Sequence, residues 1–143
     1  MLPTVRVIEE DNPAERDAIL QPLIEFNLSA APNPDFRLLG LLLKDQHGNT
    51  IGGLWGRSAY EWLFVELLFV PAHLRGTGTG SRLMQQAEDI ARQRNCTGVW
   101  LDTFAFQALG FYQKLGYTIF GELKDHPRGI SQYWLQKRVS PAS

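Results

Sequence analysis

Three features are scarce in this sequence, and each scarcity excludes a class of protein. The 143 residues include one cysteine, Cys96, which rules out an intramolecular disulfide, and three scattered histidines, which do not suit a metal site. No apolar run reaches the ~18 residues of a membrane span, and the N-terminus has no apolar run of signal length. Basic and acidic residues nearly balance, at 14 and 15, so no basic excess favours nucleic-acid binding. We therefore expect a cytoplasmic protein with no metal and with neither a membrane nor a nucleic acid as its partner.

The sequence does contain enough apolar material for one core. Hydrophobic residues make up 44% of the chain, and no internal repeat or low-complexity linker divides it. We expect a single domain over residues 1–143.

The apolar patterns alternate between strand and helix periods along the chain. A strand is predicted at Thr4–Glu9, followed by a helix over about Ala14–Leu28 that Pro22 is expected to kink or split. The later predicted elements are strands at 36–44, 50–56, 61–70, 99–104, 117–123 and 132–139, and helices beginning near 80 and at 106–115. A strand, a glycine-rich turn, a helix and a strand in that order form a βαβ unit, so the centre of the sheet is mixed or parallel and the outer hairpins are antiparallel. The predicted class is α/β or α+β with one mixed sheet.

The helix that begins near Gly80 has the clearest amphipathic pattern. Its apolar stripe consists of Leu83, Met84, Ala87, Ile90 and Ala91. Its polar face, which is predicted to lie outside, consists of Arg82, Gln85, Glu88 and Arg92.

A glycine-rich turn at 75–81 joins the predicted central strand to this helix. Gly76, Gly78 and Gly80 stand at alternate positions, where they permit positive φ angles and let a ligand approach the main chain. The N–H groups of the turn and the positive end of the helix dipole would then meet an anion, and a pyrophosphate fits best. A plain connecting turn would not need three glycines flanked by Arg75 and three hydroxyl groups.

Two other phosphate-binding motifs fit this turn less well. A Walker loop requires Lys-Ser or Lys-Thr after the last glycine, where this chain has Ser81-Arg82, so ATP hydrolysis is disfavoured. A dinucleotide fingerprint has an acidic residue ~20 positions later, which Asp102 roughly matches, but the spacing of its third glycine is absent.

The glycine turn resembles the acyl-CoA motif of the GNAT N-acetyltransferases. Residues 75–80 match the pattern Arg/Gln-x-x-Gly-x-Gly/Ala, and residues 108–117 are similar to the family's A-x-x-x-Y-E-K-x-G-F/Y segment. The resemblance covers almost the whole chain. It implies a GNAT-like fold, with a central mixed sheet splayed between two strands and flanked by helices. It also implies an enzyme that transfers an acetyl group from acetyl-CoA to a primary amine of a small molecule or a peptide.

The resemblance further implies which residues hold the donor. Main-chain groups of the central strand would pair with the pantetheine arm, and the glycine turn would bind the pyrophosphate. The implied acetyl-CoA contacts are Leu68, Phe69, Val70, Arg75, Gly76, Thr77, Gly78, Thr79, Gly80 and Ser81. Where many members carry an asparagine that contacts the pantetheine arm, this chain has Ala105, and Gln107 is the neighbour able to substitute for it.

Three residues are candidates for the chemistry, which needs a neutral amine, an oxyanion donor and an acid. Tyr112 occupies the family's tyrosine position, so the resemblance implies that it protonates the leaving thiolate; the alternative is simple packing on its helix. Glu66 is a carboxylate in an otherwise apolar strand and a candidate base, and its alternative is a salt bridge to a neighbouring strand, such as one with Arg57. Asp102 is the competing base, with capping of the next helix as its alternative. Water could also take the proton.

Two rival functions share this fold, and the acceptor has no motif. One rival is a CoA-binding module without catalysis, and the other is a toxin-like acetyltransferase of aminoacyl-tRNA, which the near-neutral charge disfavours. The acceptor is expected to be chosen by the first helix, the loop 30–35 and the turn 124–131. His47, His73 and His126 are predicted to be solvated loop residues. A homodimer through the C-terminal strands is compatible with family habit.

Overall fold

Three α-helices and six strands lie within residues 1–139, the part of the chain that the computed structural model describes. The helices are α1 (Pro13–Ala30), α2 (Thr79–Gln93) and α3 (Leu109–Lys114). The strands are β1 (Arg37–Lys44), β2 (Thr50–Ala59), β3 (Trp62–Phe69), β4 (Gly98–Phe104), β5 (Thr118–Leu123) and β6 (Gln132–Arg138). By their internal contacts the residues form two units, Met1–Asn33 and the chain from Pro34 onward. No helix among these described residues combines the length and hydropathy needed to cross a bilayer.

The first unit consists of an N-terminal segment and α1. Asn12 caps the helix, because its side-chain oxygen accepts the N–H of Glu15 at 3.2 Å, and Pro13 occupies the first turn, where no N–H is needed. Pro22 lies inside α1 without splitting it. The predicted strand at Thr4–Glu9 is wrong, since that segment joins no β-ladder. An alternating pattern specifies two faces but cannot supply a partner for the backbone hydrogen bonds.

The second unit contains a six-stranded sheet in the order β1-β2-β3-β4-β6-β5. β3 and β4 are parallel, and every other neighbouring pair is antiparallel. The parallel pair is the one joined by a crossover through α2, whereas short turns join β1 to β2 and β2 to β3. The predicted mixed sheet with a parallel centre and antiparallel hairpins is confirmed.

β3 and β4 pair along only part of their length. Their parallel register ends where Val65 stands opposite Leu101. Beyond that point β3 continues beside β2 as far as Phe69, and β4 continues beside β6 as far as Phe104. Each strand stays with its outer neighbour, so the two diverge toward their carboxyl ends. The predicted splay of the sheet is confirmed.

The core of this unit lies between α2 and one face of the sheet. The apolar stripe of α2 faces the core as predicted: Met84, Ala87 and Ala91 are fully inaccessible, Leu83 is buried and Ile90 is partly buried. The strand residues that are exposed to 1% or less are Leu54, Leu63, Val99, Leu101 and Leu135. Each fully buried leucine or valine side chain stabilises the fold by about 1.5–3 kcal/mol. This packing holds α2 against the sheet.

Glu88, which the amphipathic pattern places outside, is buried. It is 5% exposed and accepts hydrogen bonds from the Tyr117 hydroxyl at 2.9 Å and from Lys137 Nζ at 2.8 Å. Burial, followed by the charge of Glu88, raises the pKa of Tyr117 well above its ordinary value, so the phenol remains a donor. Helical periodicity could not reveal this contact, because Lys137 lies on β6, 49 residues further along the chain.

Lys137→Met tests the buried ion pair. The variant keeps most of the side-chain length but leaves the Glu88 carboxylate without its cation, so the free energy of unfolding is expected to fall by roughly 3 kcal/mol. Urea denaturation followed by circular dichroism measures the change. Asp89→Asn is the matched control, because it breaks an exposed 2.8 Å pair with Arg92 on the same helix and should cost less than about 1 kcal/mol. Equal losses in the two variants would contradict this account of Glu88.

Candidate active site

A cleft of about 690 Å³ opens where β3 and β4 diverge. Its volume lies in the range of roughly 300–1,000 Å³ that ligand pockets occupy. The lining residues are Leu68, Phe69, Val70, Leu74, Arg75, Gly76, Gly78, Thr79, Gly80, Ser81, Phe106, Gln107, Ala108, Phe111 and Tyr112. The fold therefore brings together every predicted donor contact except Thr77.

The end of β3 offers the cleft an unpaired strand edge. Within the described chain, the side of β3 that faces β4 has no strand partner beyond Val65, so the main chain at Leu68 and Phe69 is open to an extended ligand. The carbonyl of Val70 accepts a hydrogen bond of 3.3 Å from Arg75 Nε, which ties the glycine turn back to the strand. A ligand with amide groups along its length would suit this edge.

The glycine turn presents backbone N–H groups to the same cleft. Gly76 and Gly78 have φ angles of +79° and +83°, and a Cβ added to either would meet nothing within 4 Å. Gly78 is the N-cap of α2 and has no capping side chain, and Arg82 N–H donates to its carbonyl at 3.0 Å. Arg82 therefore donates the first hydrogen bond of the helix, and the N–H groups of the helical residues before it have no acceptor within α2. With the positive end of the helix, they favour an anion at this place.

Two residues of the turn support its shape. Thr77, the predicted contact that does not line the cleft, donates its hydroxyl to the Leu74 carbonyl at 2.5 Å and shares a hydrogen bond of 2.7 Å with the Thr79 hydroxyl. A Cβ at Gly80 would lie 3.2 Å from the ring of Phe111, so this glycine lets α2 begin close to α3. The third glycine of the motif is thus explained by packing between helices.

Tyr112 lies on α3 and is 7% exposed, with one side at the cleft. Burial, with the charge of Asp102 as the second cause, raises the pKa of Tyr112 to about 12. Both causes disfavour the phenolate, so the hydroxyl stays protonated at neutral pH and can give a proton. The ring also packs edge-on against Tyr117, with centroids 6.1 Å apart.

Glu66 and Asp102 stand where the two strands separate, since each directly follows the last paired residue of its strand. Glu66 forms an ion pair with Arg57 on β2, at 3.5 Å, which is the alternative considered for it. Asp102 accepts a hydrogen bond of 3.0 Å from Gln132 on β6. Neither carboxylate lines the cleft, and their role as base stays a prediction. Among residues 1–139, no group of three His, Cys, Asp or Glu residues is placed to hold a metal ion.

A β-bulge changes which side chains of β3 share a face. The register between β2 and β3 shifts by one residue near the middle of the ladder, so simple alternation along β3 fails there. The guanidinium of Arg57 lies over the ring of Phe64, 4.8 Å from its centroid, and Glu66 meets the same guanidinium. Leu68 instead lines the cleft. The structure therefore separates Glu66 from Leu68, although strict alternation along a strand would place the two on one face.

Gln107 lines the cleft beside Ala105, the position of the family's asparagine. Its Oε1 accepts a backbone N–H at the end of β4, at 2.9 Å, so its amide nitrogen is the group that can meet a ligand. The N-cap of α3 is Ala108, whose N–H donates to the Thr103 hydroxyl at 3.4 Å. Asp102 therefore does not cap this helix.

Part of the lining lies outside the sites that the sequence predicts. Phe111 directly precedes Tyr112 in the segment that is similar to the family's C-terminal motif, so the sequence could have indicated Phe111 as a lining residue. Leu74 and Phe106 belong to no motif position. Phe106 stacks on Phe104 with ring centroids 5.2 Å apart, a contact that appears only when the chain turns after β4.

Known proteins similar to this chain are acetyltransferases. The sequence model of the acetyltransferase (GNAT) family matches residues 4–117. The chain is 40% identical over 128 residues to acetyltransferase Atu2258 of Agrobacterium fabrum. The aligned region covers 90% of this chain and 93% of that protein. It is also 43% identical over 95 residues to blasticidin-S acetyltransferase of Streptomyces morookaense, and that aligned region covers 66% of this chain and 70% of that protein. A crystal structure from Agrobacterium tumefaciens, described as that of an acetyltransferase, has a TM-score of 0.88 and 38% identity and covers 96% of this chain and 99% of that one.

Asp102→Asn tests the electrostatic link between Asp102 and Tyr112. Removing the negative charge is expected to lower the pKa of Tyr112 from about 12 toward the ordinary 10, so its phenolate absorbance should appear at lower pH. Spectrophotometric titration, with Tyr112→Phe subtracted, isolates this tyrosine. Glu66→Gln is the control, because it removes the other carboxylate at the separation and should leave the titration unchanged. The same titration in Asp102→Asn as in the wild type would show that its charge does not reach the phenol.

Proposed function

The chain belongs to the GNAT family of acetyltransferases, and from that premise we propose that it transfers an acetyl group from acetyl-CoA to a primary amine. The observation that carries the proposal is a cleft where an unpaired strand edge, a glycine turn and a protonated tyrosine meet. Each of these three features suits one part of acetyl-CoA. The strand edge suits the amides of the pantetheine arm, the turn suits the pyrophosphate, and the tyrosine suits the leaving sulfur.

The donor would lie along β3 with its phosphates at the start of α2. The pantetheine amides would hydrogen-bond to the main chain of Leu68, Phe69 and Val70, where β4 has moved away. The pyrophosphate would meet the N–H groups that precede the ladder of α2, and Arg75 at the cleft wall would add positive charge. The thioester would then lie near Tyr112.

The proposed reaction is direct attack. The nitrogen of the neutral amine bonds to the acetyl carbon, and the carbonyl electron pair moves to oxygen to form a tetrahedral intermediate. Collapse of the intermediate breaks the C–S bond and expels the thiolate, while the nitrogen loses a proton and becomes an amide. Tyr112 gives its proton to the thiolate, and the proton released by the nitrogen restores the phenol. The raised pKa of Tyr112 supports its role as the donor.

A small molecule is the acceptor that the comparisons favour. The similarity to blasticidin-S acetyltransferase extends over 66% of this chain, and that protein is named for a small antibiotic. The balance of 14 basic and 15 acidic residues offers little attraction to a polyanion such as tRNA. We therefore place an amine-bearing small molecule first, with a peptide amine as the alternative.

Gly78→Trp tests the donor site by filling the turn. Calorimetric titration of acetyl-CoA is expected to show micromolar binding to the wild type and none to this variant. Gly48→Trp is the matched control, because Gly48 has a φ of +80° and the same open space within 4 Å but lies in the turn between β1 and β2. It carries the same backbone strain and should keep the wild-type affinity. Absence of binding to the wild type would exclude acetyl-CoA as the ligand.

Tyr112→Phe tests the proposed acid while preserving the ring. We expect kcat to fall by about 10²-fold or more, because general acid catalysis contributes that much, with the affinity for acetyl-CoA unchanged. Release of free thiol, measured with blasticidin S and a panel of primary amines as acceptors, reports the rate. Tyr60→Phe is the control, since Tyr60 is 44% exposed and does not line the cleft. Wild-type turnover in Tyr112→Phe would remove Tyr112 from the mechanism, and acetyl-CoA binding without any turnover would leave a non-catalytic CoA-binding module.

A further inference from the structure

His126 is held in place although it lies in an exposed turn between β5 and β6. Its Nδ1 is 2.7 Å from Gln132 Oε1, and its ring meets Phe104 edge-on with centroids 5.4 Å apart. Its backbone N–H donates to the Ile130 carbonyl at 2.8 Å. The sequence predicts only a solvated loop residue here, because the partners of this imidazole come from β4 and β6.

Gln132 connects this imidazole to Asp102. The glutamine is 8% exposed, and its Nε2 donates to Asp102 Oδ1 at 3.0 Å. An ionised carboxylate only accepts hydrogen bonds, so the amide nitrogen must face Asp102 and the amide oxygen must face His126. An amide oxygen also only accepts, so Nδ1 of His126 must carry a hydrogen. In the neutral imidazole the lone pair then lies on Nε2.

Hydrogen bonds connect His126 to Gln132 and Gln132 to Asp102, and Asp102 is the member that lies at the gap between β3 and β4. Asp102 is the first residue of β4 beyond its last pair with β3, and its charge contributes to the raised pKa of Tyr112. Along β4, Asp102 alternates with the buried Leu101 and Thr103, so it faces away from α2. The cleft lies on the α2 side, and an acceptor on the opposite face would reach the thioester through the gap. Phe104, against which His126 packs, stacks on a residue of the cleft lining.

The charges near His126 are of both signs. From β4 it faces Asp102 through Gln132. On β5, Glu122 pairs with Tyr133 and so lies on the opposite face of the sheet from Gln132, where it accepts a hydrogen bond from Ser131 at 2.6 Å. The turn itself carries Asp125, which accepts a backbone N–H at 3.0 Å, together with the basic residues Lys124 and Arg128. The carboxylates of Asp102 and Asp125 balance the two basic residues of the turn, so an ammonium group meets no net repulsion at His126.

We propose that His126, held by Gln132 and Asp102, is the general base that takes a proton from the acceptor's ammonium group through its Nε2. This inference rests on the proposed acetyltransferase function. The N–H bond of the ammonium breaks, its electron pair stays on nitrogen, and the proton bonds to Nε2. The neutral amine then attacks the thioester. The imidazolium passes its proton to water. Imidazoles titrate nearer neutral pH than carboxylates and so accept protons better at pH 7. Glu66 and Asp102 are meanwhile engaged with Arg57 and Gln132.

The tautomer of His126 can be measured without any activity. Two-bond ¹⁵N–¹H correlation spectra of the wild type above pH 8 are expected to show His126 with its hydrogen on Nδ1, and His47 and His73 serve as internal references. Gln132→Met, which keeps the length of the side chain, should release the constraint. A hydrogen on Nε2 of His126 in the wild type would overturn the proposal, whether or not the variant folds.

His126→Gln tests the proton transfer itself. At pH 7 the variant is expected to lose about 10²-fold in kcat/KM for the amine, with its calorimetric affinity for acetyl-CoA unchanged. The deficit should shrink at high pH, where the amine is already neutral, and a merely structural defect would not recover in this way. His47→Gln, in the turn between β1 and β2, is the control and should match the wild type. A wild-type pH profile in His126→Gln would overturn the role of His126 alone, whereas a wild type that binds no acetyl-CoA would overturn the proposed function.

Discussion

The divergence of β3 from β4 after Val65 and Leu101 is the constraint on which the candidate site depends. Each strand keeps its outer neighbour, so hydrogen-bonding groups that a continuous sheet would use are turned toward the cleft. The glycine turn follows β3 directly, and the divergence therefore brings the start of α2 beside the open strand edge. Had the two strands remained paired to their ends, the cleft would be closed and β3 would have no backbone groups to offer a ligand.

The position of Tyr112 depends on contacts outside the cleft. Tyr117 N–H donates to the Tyr112 carbonyl at 3.1 Å, and the Tyr117 hydroxyl donates to Glu88 on α2 at 2.9 Å. Lys137 on β6 completes the environment of that carboxylate. One buried carboxylate thus connects α2, the turn between α3 and β5, and β6. The backbone of Tyr112 is bonded to this polar network, and burial of its side chain keeps the phenol protonated.

The gap between β3 and β4 also joins the two faces of the sheet. The donor cleft lies on the side of α2, whereas Asp102, Gln132 and His126 lie on the other side. Asp102 lies at this gap, and its charge is the second cause, after burial, of the raised pKa of Tyr112. A donor on one face and an amine on the other would therefore meet where the parallel strands β3 and β4 separate.

The sequence by itself determined the mixed sheet, the apolar stripe of α2, the glycine turn and the family, because these depend on local periodicity and on short motifs with fixed spacing. Local patterns were insufficient for Thr4–Glu9, whose alternation finds no partner strand. Only the tertiary structure decided that a bulge separates Glu66 from Leu68, that Glu88 is buried and that His126 connects to Asp102. Each of these facts depends on a strand register or on partners distant in sequence, and neither can be specified by the residue's own neighbours along the chain.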